Sequence, residues 1–124
     1  MKIKIETPVF PTEDGTKIKH ALESVFPGVV FKLNKDLISG ESEKISSLEY
    51  VKTRIEEKKI KNTVSYLLTQ YSFDGGTSFE LNKQAAMLGK VNFVEEKYPL
   101  GNIKVIIETN NLDAVSEYLF SSTT

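Results

Sequence analysis

Apolar residues recur along this chain in two rhythms, and the switches between them predict its elements. Ile3, Ile5, Thr7 and Val9 share one face of an extended segment, with Lys2, Lys4 and Glu6 on the other. Period-two alternation of this kind marks a half-buried strand. Pro11 and Thr12 end it. Thr12 suits a helix N-cap, with Glu13 and Asp14 at the positive end of the helix that follows. Ile18, Ala21, Leu22 and Val25 then repeat at helical spacing up to a Pro27-Gly28 stop. Val29, Phe31 and Leu33 alternate again and predict a second strand, extendable through Asp36, Leu37 and Ile38, while Gly40 to Lys44 reads as a solvated loop.

Ser46-Ser47-Leu48-Glu49 has the spacing of a capping box, a Ser at the N-cap answered by a Glu three residues on. Leu48, Val51 and Ile55 form a narrow apolar stripe after it. The charged run Glu56 to Lys59 interrupts that stripe, and Ile60, Val64, Leu67, Leu68 and Tyr71 restart it, as a second helix or after a kink. Asp74-Gly75-Gly76 is a turn signal, and Phe79 and Leu81 share one face of the strand beyond it. Ala85 to Leu88 suits a short helix closed by Gly89 in a left-handed conformation. Val91 and Phe93 share a strand face, Tyr98-Pro99-Leu100-Gly101 fits a type I turn, and Ile103, Val105 and Ile107 form the next strand. Asn110 or Asn111 caps a last helix through Ala114, Val115, Tyr118 and Leu119, with Ser121 to Thr124 fraying beyond.

Strands and helices are mixed here without regular alternation. The expectation is an α+β fold with one mixed, mostly antiparallel sheet and helices mainly on one face. Length fits a single domain over residues 1–124, with no repeat, low-complexity tract or linker to divide it.

Charge changes this picture little. Residues 1–62 carry 12 basic and 10 acidic side chains, residues 63–124 carry 4 and 7, and +2 with −3 gives the formal net charge of −1. A dedicated nucleic-acid binder is usually clearly basic, so only a local patch is compatible with that role, and no DNA-recognition signal is present. The absence of cysteine removes disulfides, thiol nucleophiles and cysteine-ligated metals. No apolar run has membrane-spanning length and the first residues alternate, unlike a secretory signal, so a cytoplasmic protein is expected.

Candidate chemistry is sparse. His20, the single histidine, falls on the polar face of its helix beside Lys19 and Glu23, with no nucleophile elbow or metal partner in the pattern. The carboxylate pairs Glu41/Glu43, Glu56/Glu57 and Glu95/Glu96 lack converging or calcium-loop spacing. Asp74-Gly75-Gly76 lacks the ending of a phosphate loop. Gly89 to Val94 lacks the alternating rings of an RNA-recognition strand, since Val91 and Glu96 occupy ring positions. Nothing calls for a cofactor or metal. An enzyme built from this inventory would have to use carboxylates, lysine or a bound metal, and a non-enzymatic binding module is the preferred reading.

Two surfaces remain as candidates. Lys83, Gln84, Lys90 and Asn92 flank the short helix, and together with outward Lys2, Lys4 and Lys104 they would offer ammonium groups to phosphates and amides to sugars or bases. The alternative is ordinary surface solubilisation, with Asn82 capping that helix. Val30, Val94 and Ile106 project to the sheet face opposite the helices and would form a homodimer or partner surface, unless loops or the last helix cover them.

NKQAAMLGKVNF at residues 82–93 and PLGNIKVIIE at residues 99–108, together with IETPVFPTED at residues 5–14, resemble an uncharacterised archaeal protein family, number 201. The resemblance runs over most of the chain. It implies a fold similar to the large-subunit ribosomal protein that binds 5S ribosomal RNA, and a homodimer, and it carries no assigned site residues. The functional expectation is thus a binding module for RNA or a ribonucleoprotein. Its alternative is a homodimeric protein-interaction module with no nucleic-acid role.

Overall fold

A computed structural model describes residues 1–95, 98 and 100–121 of the protein. The alternating segments become strands β1 (Lys2–Pro8), β2 (Val30–Asn34), β3 (Leu37–Ser42), β4 (Gly76–Asn82), β5 (Phe93–Val94) and β6 (Asn102–Glu108). They form one open six-stranded sheet in the order β2-β3-β1-β6-β4-β5. Every described pairing is antiparallel, so the mixed sheet expected from the element order is purely antiparallel among the described residues. The helices are α1 (Gly15–Val25), α2 (Glu49–Lys58), α3 (Lys61–Gln70), α4 (Lys83–Met87) and α5 (Leu112–Phe120). Architecture is α+β, with the helices over one sheet face.

Register explains why. Ile3 lies opposite Ile107 and Ile5 opposite Val105, which is also opposite Phe79, so all these side chains project to the same face. Leu22, Val51, Ile55, Val64 and Leu119 from the helices meet them in one buried cluster. Burying that much aliphatic surface is the main favourable term holding the layers together.

Several boundaries differ from the expectation, each for a local reason. Asp14 rather than Thr12 caps α1, its carboxylate accepting from the Thr16 and Lys17 amides at 3.0 and 3.3 Å. Residues Gly40 to Ser42 are not a loop but the end of β3, paired with both β1 and β2. Gly40 is needed there: a Cβ would lie 2.8 Å from Phe31 and Val29 side-chain atoms, which cover the space it leaves. The capping box does not form. Residues Ile45–Leu48 make a turn of 3-10 helix, and α2 begins at Glu49 without a side-chain cap. The hydroxyl of Ser47, next to the expected cap Ser46, lies 2.5 Å from that of Ser42. Lys59, left-handed at φ 55°, separates α2 from α3, so the interrupted stripe is two helices.

Candidate nucleic-acid interface

The segment after β4 is built from its capping residue outward. The Asn82 side chain accepts from the Ala85 amide at 2.8 Å and starts α4, while its own amide bonds the Asn92 carbonyl at 2.9 Å. Ala85 and Ala86 are buried, and their small side chains let α4 settle against α1. Gly89, at φ +73°, then reverses the chain as expected of a helix-ending glycine. The Gly101 amide bonds the Tyr98 carbonyl at 2.8 Å, as the expected turn requires; Pro99 of that turn, Glu96 of the acidic pair and residues 122–124 lie outside the described residues.

Helix α2 holds this segment from the side. Tyr50 Oη donates to the Gly89 carbonyl at 2.5 Å. Arg54 lies over the Tyr50 ring, 5.0 Å from its centroid, and donates to that hydroxyl at 2.9 Å and to Glu57 at 2.9 Å. Lys58 Nζ donates to the Val91 carbonyl at 2.7 Å and to Asn92 Oδ1 at 2.6 Å. Arg54, Lys58 and Lys90 therefore gather along residues 89–92. Arg54 and Lys58 had no distinguishing signal in the sequence, because their link to residues 89–92 is a contact across more than 30 positions.

Of the four expected contact residues, Gln84, Lys90 and Asn92 are exposed, with the Asn92 amide oxygen already engaged by Lys58. Lys83 is corrected: it is 2% exposed. Its ammonium donates to the Pro8 carbonyl at 2.6 Å, to Glu13 Oε1 at 2.9 Å and to the Leu100 carbonyl, and it lies 5.4 Å from the Phe10 ring centroid. Successive helical residues diverge by about 100°. Gln84 can thus face solvent while Lys83 turns inward, where it fastens residues 8–13 to the start of α4. No phosphate can reach it.

The strand lysines do not join Lys90. Lys2, Lys4 and Lys104 alternate with Ile3, Ile5 and Val105, and so stand on the face away from the helices. Two of them are engaged there, Lys2 with Glu41 at 3.4 Å and Lys4 with Glu108 at 2.8 Å.

Comparison with known proteins fixes the lineage. A family model described as RNA binding matches residues 2–109. A UPF0201 protein of Methanothermobacter thermautotrophicus is 34% identical over 119 residues, covering 95% of this chain and 89% of the relative. One from Sulfurisphaera tokodaii is 34% identical over 128 residues, covering 98% and 88%. The chain belongs to the UPF0201 family. Its fold agrees with a crystal structure of a UPF0201 protein from Methanococcus jannaschii, at a TM-score of 0.82 and 25% identity over 100% of this chain and 96% of that one. A second UPF0201 crystal structure gives 0.84 at 23% identity, over 99% and 95%.

In this UPF0201 chain the three outward aliphatics share a face but not a patch. Reading across the sheet from Val30, the neighbours are Glu41, Lys4 and then Ile106, so two charged residues separate the pair. Val94 lies in another row, opposite Glu80 and then Lys104. Only Val30 is fully open, at 78% exposure on the edge strand. The continuous apolar surface expected of Val30, Val94 and Ile106 does not form, because strand order interleaves charged residues between them. Among the described residues no three His, Asp or Glu side chains gather as a metal-ligand set, and no helix is long and apolar enough to cross a membrane.

Proposed function

We propose that this UPF0201 protein is a non-enzymatic RNA-binding module whose contact surface is the α4 end of the helix layer. The observation that carries the reading is the family model for RNA binding, which spans residues 2–109 and so includes α1, α2 and α4. Lys90 and Lys58 supply phosphate attraction, Arg54 a flat guanidinium, and Gln84 and Asn92 amide contacts to sugar or base. A net charge of −1 confines the attraction to this patch, so binding is modest and sensitive to salt. The sequence resemblance at residues 5–14, 82–93 and 99–108 implies a fold like that of the ribosomal protein that binds 5S ribosomal RNA, and that implication favours a structured RNA, or its ribonucleoprotein, as the partner class.

The test is filter retention of a labelled structured RNA at low salt, with wild type and Lys90→Ala. Removing one phosphate contact is expected to weaken binding several-fold and lower the salt slope by about one. Equal retention by the two proteins would remove Lys90 from the interface. No retention by wild type would reject the function itself.

A further inference from the structure

We propose that the groove between α1 and α4 receives a single unstacked base from a loop or bulge of the bound RNA. The inference deepens the RNA-binding reading and rests on it. The groove is open to solvent along its length and offers about 500 Å³, within the span of roughly 300–1,000 Å³ usual for small-ligand sites. Its α1 wall carries Thr16, Lys17, His20 and Ser24, which follow one another along one side of the helix. Facing them, Ala86, Met87 and Gly89 form a low apolar wall.

Each part suits one part of a nucleotide. The exposed His20 ring offers a plane on which a base can stack, and the Met87 thioether a polarisable contact for its other face. Thr16 and Ser24 hydroxyls can serve the polar edge; Ser24 Oγ donates to the His20 carbonyl at 3.3 Å and keeps its acceptor capacity. Lys17 on the wall and Lys90, directly after Gly89, provide ammonium groups for the flanking phosphates. The Tyr50 bond to the Gly89 carbonyl fixes the rim. A base needs such a plane and such a cation together, because stacking alone leaves its phosphates unneutralised.

The competing aromatic surface lacks the second half of that pair. Tyr66 on α3 and Tyr71 and Phe73 after it are exposed, but Tyr71 Oη lies 3.5 Å from Glu95 and shares a small cleft with Glu80. Carboxylates there repel a phosphate backbone. The α1–α4 groove is the better match.

Fluorescence anisotropy at low salt tests this, using a labelled stem-loop RNA with an unpaired loop and a fully paired duplex of equal length. Wild type should prefer the stem-loop. His20→Ala should weaken that complex roughly five- to tenfold, the loss of one stacked base. Ser24→Phe, which fills the groove from an exposed helix position, should remove the preference for the loop while circular dichroism stays unchanged. If both variants bind as wild type while Lys90→Ala still weakens binding, the groove is not the site and the RNA-binding reading stands. Equal wild-type affinity for stem-loop and duplex also overturns the groove. Loss of both RNAs from wild type overturns the groove and the reading beneath it.

Discussion

Lys83 is the residue whose position most changes the account of this chain. A lysine in a polar triplet before two alanines reads as a surface cation, yet its ammonium has three oxygen acceptors in a site closed to water. The Lys83 and Glu13 side chains are only 1% and 7% exposed. Removing one member of such a pair leaves the other buried without its counter-charge, which costs about 3–5 kcal/mol. Lys83→Met is therefore expected to lower stability strongly in urea unfolding, and Lys83→Met with Glu13→Leu less than the single change. A single variant as stable as wild type would show that the lysine does not fasten residues 8–13. Sequence reasoning could not reach this arrangement: the orientation of a side chain on a five-residue helix depends on which segment lies beside it, here one 70 positions away.

The open face of the sheet carries a weaker pair with a readable pH signature. The hydrogen bond from Lys4 and its charge hold the Glu108 carboxyl below its ordinary range. The same bond and charge hold the Lys4 ammonium above its own. A depressed carboxyl contributes stability above the ordinary glutamate pKa of about 4.3, and this is lost as pH falls through the lower folded value. The raised lysine contributes below about 10.4, and that is lost as pH rises through its folded value. Glu108→Gln should thus cost a small, salt-screened amount at neutral pH that vanishes in acid. A Glu108→Gln penalty in urea midpoint that persists into acid would contradict it.

Among the elements, long periodic stretches were legible and short or glycine-bearing ones were not. Alternation located β1, β6 and the apolar part of β4, because their inward positions are large apolar residues at period two. The last turns of β3 carry Gly40 and polar neighbours, and their strand character comes from backbone pairing to β1 and β2 on either side. The serine pattern at residues 46–49 fitted a cap at Ser46, but Ile45–Leu48 fold as a turn of 3-10 helix with Lys44 ahead of it, and the neighbouring Ser47 hydroxyl ties that turn to Ser42 at the end of β3. One local arrangement gave way to another. Gly76 offers a test at this scale. A Cβ there would lie 2.2 Å from the Ile107 carbonyl oxygen, a backbone atom that cannot swing aside. Gly76→Ala should force β4 from β6 and destabilise by about 1–3 kcal/mol, the usual range for overpacking. Unchanged hydrogen exchange across the β4–β6 pairing would show that the strands yield without loss.

For the molecule as a whole, strand order is what periodicity cannot supply, and it separates the two surfaces the sequence pooled. Which side chains face outward was legible from alternation; which of them become neighbours was not. In the order β2-β3-β1-β6-β4-β5, charged residues fall between Val30, Ile106 and Val94, and strand lysines stand opposite carboxylates. Further basic side chains lie on the helix side, where α2 brings Arg54, paired with Glu57, and Lys58, bonded to residues 91 and 92, beside Lys90. That placement, with the family model for RNA binding, is the central claim.

A salt titration of wild-type binding to a labelled structured RNA tests it most directly. A patch of two to four cations predicts that the logarithm of affinity falls linearly with the logarithm of salt, losing roughly 0.7–0.9 in slope per phosphate neutralised. Lys90→Ala should reduce the slope by about one such contact. Absence of binding at the lowest salt, or an affinity that salt does not change, would contradict the account.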